Sequence, residues 1–175
     1  MIPRLAFALF LAAATLNAGV LLSARYGQVS HKATLLGADA AEKSAQGTGF
    51  LAGYDGGNYR IVLSQDKPGF DAPAEATLNA VGLHLIDHED PDIRGFLGFG
   101  FGQLDYRHSS QAAGEATQSV DLYGIEVGLI LLDDRFKSMQ MELGYRYFKP
   151  YGDEPAGLDV SNLSHFYIGL GFDLF

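Results

Sequence analysis

Apolar and polar residues alternate one by one along most of this chain. The clearest stretch is Met139-Gln140-Met141-Glu142-Leu143-Gly144-Tyr145-Arg146-Tyr147, with Met, Met, Leu, Tyr and Tyr on one parity and Gln, Glu, Gly and Arg on the other. A period of two marks a β-strand with unlike faces. Residues 123–131 repeat it, with Tyr123, Ile125, Val127, Leu129 and Leu131 against Gly124, Glu126, Gly128 and Ile130. Residues 97–102 set Leu97, Phe99 and Phe101 against three glycines. Near the end, Phe166, Ile168, Leu170, Phe172 and Leu174 oppose His165, Tyr167, Gly169, Gly171 and Asp173. Weaker alternation runs through 48–54, 59–64 and 77–86. It is poorest at 20–36, where Val20, Leu22, Ala24 and Tyr26 share a face. Breaks fall at Asp55-Gly56-Gly57-Asn58, at 87–92 and at 133–136, all short. Polar segments at 37–46, 65–75, 107–118 and 150–161 are longer. The pattern predicts eight strands joined alternately by long and short connections, with no linker between domains.

The chemistry of the two faces decides what kind of sheet this is. The non-apolar face carries glycines together with Arg60, His84, Arg94, Glu126, Gln140, Glu142, Arg146, His165 and Asp173. Eight strands close around an interior just wide enough for side chains. Glycines and charges cannot make a hydrophobic core there, but they can fill a barrel whose apolar face meets lipid. Closure also removes the unpaired edges that lipid would penalise. The expected fold is all-β: an eight-stranded antiparallel up-and-down transmembrane β-barrel.

Composition narrows the function classes. The formal net charge of -9 argues against a nucleic-acid binder. Without cysteine there is no disulfide, thiol nucleophile or thiolate metal site. Without tryptophan the Gly-x-Trp signature of a soluble lipocalin-like carrier cannot exist. Glycine, 22 of 175 residues, is well above the usual ~7 %.

The N-terminus has the layout of an export signal. Arg4 precedes an unbroken apolar run from Leu5 to Ala14, and small residues follow. Residues 1–18 are expected to be a signal peptide cut after Ala18, with Ala24 as the alternative, and residues 19–175 the barrel domain.

Glu142-Leu143-Gly144-Tyr145-Arg146-Tyr147 and Tyr167-Ile168-Gly169-Leu170-Gly171-Phe172-Asp173-Leu174-Phe175 resemble the small outer-membrane β-barrels of the opacity and outer-membrane-protein-A transmembrane-domain type. The resemblance spans about 19–175. It implies a bacterial outer-membrane location, contact with outer-membrane lipids and lipopolysaccharide, and insertion by the barrel assembly machinery. It also implies a C-terminal assembly signal, matched here by Tyr167, Gly169, Phe172 and Leu174, with Phe175 as one extra residue.

Candidate chemistry is sparse. The interior polar network is expected to comprise Arg60, Arg94, Glu126, Glu142, Arg146 and Asp173, with Arg60, Arg94 and Asp173 near the short turns and the rest nearer mid-height. A turn centred near 134–135 would place Glu126 opposite 142 or 143, putting two carboxylates side by side with Arg146 close by. His108 and Ser110 resemble the His-x-Ser pair of outer-membrane lipid A deacylases, in which serine is nucleophile and histidine its base. Asp105, Glu115 or Asp121 would have to orient the histidine. The acidic turn Asp87 to Asp92 lacks EF-hand spacing and reads as a solvated turn rather than a cation site. Gly98-Phe99-Gly100-Phe101-Gly102 alternates strictly and no helix follows, so it is not a nucleotide loop.

The expectation is therefore a monomeric outer-membrane barrel with a structural or surface-interaction role. It would have a filled polar interior, no general porin activity, no cofactor and no metal. The alternatives are a lipid A acyl hydrolase using His108 and Ser110, and a transport barrel for small apolar molecules.

Overall fold

The computed structural model describes residues 19–35, 41–69, 74–87, 89–90, 92–110, 114–132, 138–152 and 158–174. They form eight strands: β1 (Gly19–Leu35), β2 (Ala41–Asp55), β3 (Tyr59–Pro68), β4 (Ala74–Ile86), β5 (Ile93–Ser110), β6 (Gly114–Leu132), β7 (Met139–Pro150) and β8 (Leu158–Asp173). Each strand pairs antiparallel with its chain neighbours, and β8 returns to β1 through rungs such as Leu21↔Asp173 and Gly27↔Tyr167. The sheet is a closed barrel, so every strand finds a partner on both sides along its central part.

The parity read from the sequence sets the faces. Phe99 and Phe101 are 54 % and 60 % exposed, whereas Glu142 and Arg146 on the other parity are 2 % and 1 % exposed. Leu22, Phe50, Leu83, Leu97, Ile125, Val127, Met141, Ile168 and Leu170 join the exposed set, which forms an apolar band around the wall. Its edges are aromatic. Tyr54 and Tyr59 lie beside the turn at 56–58, with ring centroids 5.8 Å apart, and Tyr26, Phe101, Tyr123 and Phe166 mark the opposite edge. An apolar band of this extent, bordered by aromatic residues, is what a barrel in lipid presents.

Beyond that second edge the strands continue and the faces exchange character. Outward positions become Gln28, Ser44, Gln46, Gln65, Lys67, Asn79, Gln103, Asp105, Ser119 and Asp121. Inward positions become Val29, Leu78, Leu104, Tyr106, Val120, Leu122, Phe148, Val160 and Leu163, packed as one buried cluster. This corrects the expectation of long loops at 37–46, 65–75, 107–118 and 150–161, because much of each segment is strand. The physical reason is solvent. Above the lipid a barrel needs polar residues outside and apolar ones inside, and an outward polar surface resembles a loop when read along the chain.

The strands reach different heights. Proline has no N–H to extend a ladder, and β3 and β7 both stop on one, Pro68 and Pro150. The β3–β4 ladder accordingly ends at Asp66↔Leu78, although β4 begins at Ala74 and β5 reaches Ser110.

Candidate functional site

The interior below the upper apolar cluster is a network of buried charge. It is built from inward positions of every second residue on six strands. β1 supplies Arg25, β3 supplies Arg60, Ser64 and Asp66, β4 His84, β6 Glu126, β7 Gln140, Glu142 and Arg146, and β8 His165 and Tyr167, all buried. Facing glycines make the room. Tyr167 has Gly144 opposite it on β7 and Gly27 opposite it on β1.

Tyr167 is the hub. Its hydroxyl donates to Glu142 Oε1 at 2.6 Å and is also within hydrogen-bond reach of Glu126 Oε1. Arg25 lies over the ring, its guanidinium carbon 4.2 Å from the centroid, and donates through Nη2 to Glu142 Oε1 at 3.0 Å. The same Nη2 is 3.6 Å from Glu126. Arg146 pairs through Nε with Glu126 at 2.8 Å and through Nη1 with Asp66 at 2.8 Å, and also donates to the Ser64 hydroxyl at 2.9 Å. His84 Nε2 stands 3.1 Å from Glu126 and its ring stacks on Phe96. Toward the short turns, Arg60 donates to Asp55 at 2.6 Å and to Gln140 Oε1 at 2.7 Å.

Both expected carboxylates are therefore present and do converge, but not by the expected register. Glu126 pairs with Arg146 on the β6–β7 ladder, and Glu142 pairs with Ile130. Residues directly opposite in a ladder share a face. An inward Glu126 must therefore oppose an even-numbered residue of β7, and a one-residue slip would turn the apolar face inward. The carboxylates, on neighbouring strands, meet instead at Arg25 and Tyr167, which β1 and β8 supply. The groups near the short turns and those at mid-height are joined, because Arg60 Nη1 is 3.9 Å from Glu142. Arg94 and Asp173 are half-buried on the inward face near the short turns.

Sequence reasoning missed Arg25, Ser64 and Asp66. Arg25 falls in the weakly alternating first strand, and Asp66 in a segment read as loop. Parity could have found both, since Arg25 lies between outward Ala24 and Tyr26, and Asp66 continues the series Arg60, Val62, Ser64.

Apolar clusters flank the network. Ile86, Phe96 and Ile130 pack at the short-turn end, and the cluster around Leu104 and Leu122 packs at the other. A cavity between Ser64, Gly82, Gly100, Glu126 and Arg146 has a volume of about 10 Å³. That is space for about one water molecule.

The other candidates are placed as follows. His108 and Ser110 lie on β5 at rungs with Ala116 and Gly114, and their side chains are outside the described residues, as is that of Glu115. Asp105 accepts from the Ser119 hydroxyl at 2.6 Å, and Asp121 from Gln103 at 3.2 Å. In the acidic turn, Asp87 and Asp90 cap backbone N–H groups of Glu89, Asp92 and Ile93, while His88 and Pro91 are outside the described residues. Among the described residues no acidic or histidine cluster could hold a metal ion. Of the assembly-signal residues, Tyr167 and Gly169 face inward, Phe172 and Leu174 face outward, and Phe175 is outside the described residues. Residues 1–18 are outside them too.

No family model matches the sequence, and no curated protein sequence does. Solved structures do match the fold. Neisserial surface protein A superposes with a TM-score of 0.62 at 16 % identity, covering 87 % of this chain and 97 % of that one. The N-terminal β-barrel domain of Pseudomonas aeruginosa OprF gives 0.61 at 15 %, covering 89 % and 99 %. The Yersinia pestis attachment invasion locus protein Ail gives 0.51 at 15 %, covering 88 % and 98 %. At these identities the likeness is one of fold, and the expected resemblance to opacity-type and outer-membrane-protein-A-type barrels holds at that level. With its apolar girdle and its polar interior, the chain has the fold of the small transmembrane β-barrels of the bacterial outer membrane.

Proposed function

We propose that this barrel is a closed structural pedestal that presents its upper hairpins at the cell surface for interaction, and that it conducts no solutes. One observation supports the reading: charged side chains pack the lumen among the described residues, and the cavity beside Ser64, Glu126 and Arg146 measures about 10 Å³. An eight-stranded interior packed in this way has no continuous water path. The strands that rise above the lipid band have a dry core of their own, which makes the display rigid. Two of the barrels with this fold bear names that speak of a surface protein and of attachment, which agrees with an interaction role. The protein is expected to act as a monomer, to meet outer-membrane lipids and lipopolysaccharide, and to be inserted by the barrel assembly machinery. Planar-bilayer recording tests the proposal. The wild-type barrel should show no steady single-channel conductance, and large stable openings would overturn the filled-lumen reading in favour of transport.

A further inference from the structure

Just above the apolar band, the outer wall of β3, β4 and β5 holds a depression of about 480 Å³. That volume is within the ~300–1,000 Å³ of small-ligand sites. It exists because β3 ends at Pro68 while β4 and β5 continue beside it. Its floor is a hydrogen-bonded platform of polar side chains. Gln65 Nε2 donates to Asn79 Oδ1 at 2.9 Å, Asn79 Nδ2 donates to Asp105 Oδ2 at 3.5 Å, and Ser119 fixes the other oxygen of Asp105. Lys67 and Arg107 border it, and Arg107 is 3.9 Å from Glu75.

We propose that this depression binds the saccharide head of an outer-leaflet glycolipid. The proposal rests on the outer-membrane reading and adds a ligand site to it. Three features select that ligand. The amides of Gln65 and Asn79 both donate and accept and the Asp105 carboxylate accepts, as recognition of adjacent sugar hydroxyls requires. The two cations, Lys67 and Arg107, are matched by two anions, Glu75 and Asp105, so a bare phosphate meets no net positive field. The polar platform is also continuous with lipid-facing wall. Leu63 precedes Gln65 on β3, Val81 follows Asn79 on β4 and Phe101 precedes Gln103 on β5, each two positions along the same outward face. A ligand with its sugar in the depression would lay its acyl chains on those side chains.

The test uses the whole barrel folded in detergent micelles. The side-chain amide NMR resonances of Gln65 and Asn79 are followed during titration with deacylated lipopolysaccharide oligosaccharide, with inorganic phosphate and with phosphatidylglycerol. The expected result is saturable shifts with the oligosaccharide only. Asn79→Ala and Asp105→Ala should each weaken binding at least tenfold, read at Gln65, while the unboiled protein keeps its folded gel mobility. No saturation, equal shifts with phosphate or with phosphatidylglycerol, or unchanged affinity in both variants would overturn the proposal. The oligosaccharide is water-soluble, so this outcome is independent of cellular location. Failure of the outer-membrane reading would appear separately, as absence of the protein from the outer-membrane fraction.

Discussion

Glu126 and Arg146 stand directly opposite each other on the β6–β7 ladder, and their side chains pair at 2.8 Å inside the barrel. Arg146 also holds Asp66, which is 1 % exposed and has His165 Nδ1 3.9 Å away. Glu126 retains Arg25 and His84 if Arg146 is lost, but Asp66 keeps only that distant histidine. Arg146→Ala should destabilise the barrel by about 3–5 kcal/mol, the cost of stranding a buried charge. Removing both members, as in Arg146→Met with Asp66→Leu, should cost less than Arg146→Ala alone. Equilibrium urea unfolding in lipid vesicles measures both, and equal costs would show that the buried pair is not the source of the effect.

The lipid face is tested at Val127. It lies mid-band on β6, between Leu97 on β5 and Tyr145 on β7, all three exposed. Val127→Arg should lower stability in bilayers by about 2–4 kcal/mol. Asp121→Arg, on the same face but among polar neighbours above the band, should change it by less than about 0.5 kcal/mol. If the two variants unfold alike, the boundary between lipid and water has been misplaced.

Strand number, strand faces and the charged interior were legible because one rule governs them: in lipid, each strand must show apolar side chains at every second position. Other features stayed unread for definite reasons. The β6–β7 register depends on the number of residues in the turn, which alternation fixes only to an even offset. Glu126 could therefore be placed near Glu142 but not against Arg146. The exchange of faces above the band was also hidden. Val29, Leu78, Leu104 and Val120 occupy alternate inward positions there, but their outward partners are so polar that whole segments read as loop. Tyr167 was read for its place in a terminal signal, whereas its inward position between Gly27 and Gly144 makes it the centre of the interior network.

The first and last strands close the barrel on each other. The N–H of Leu174 donates to the carbonyl of Val20 at 2.9 Å, and the rungs Leu21↔Asp173 to Ala24↔Leu170 follow. We propose cleavage after Ala18, since a cut after Ala24 would strip those rungs from β8 and their counterparts from β2. Mass spectrometry of the exported protein should find Gly19 at the mature N-terminus. Deleting Tyr167–Phe175 should abolish insertion because it opens the sheet edge that β1 needs. Phe175 deleted alone tests the assembly signal. Normal insertion would make Leu174 the effective final position, and lost insertion would show that the machinery reads Phe175.

Gly144 and Tyr167 make the most local test of the interior. They are opposite each other on the β7–β8 ladder, and a Cβ at 144 would fall inside contact distance of the Tyr167 ring and hydroxyl. The ring cannot retreat easily, because the Arg25 guanidinium carbon lies 4.2 Å from its centroid on the lumen side. Gly144→Ala should therefore cost about 1–3 kcal/mol by overpacking. Tyr167→Phe keeps the ring but removes the hydroxyl that joins Glu142 and Glu126, for a loss of about 1–3 kcal/mol. The two losses have different origins, and a double-mutant cycle separates them. In a Tyr167→Leu background the ring is gone, so Gly144→Ala should become nearly neutral. If its cost persists there, the glycine is required by the backbone of β7 rather than by the tyrosine, and the account of Tyr167 as a wedge seated on Gly144 fails.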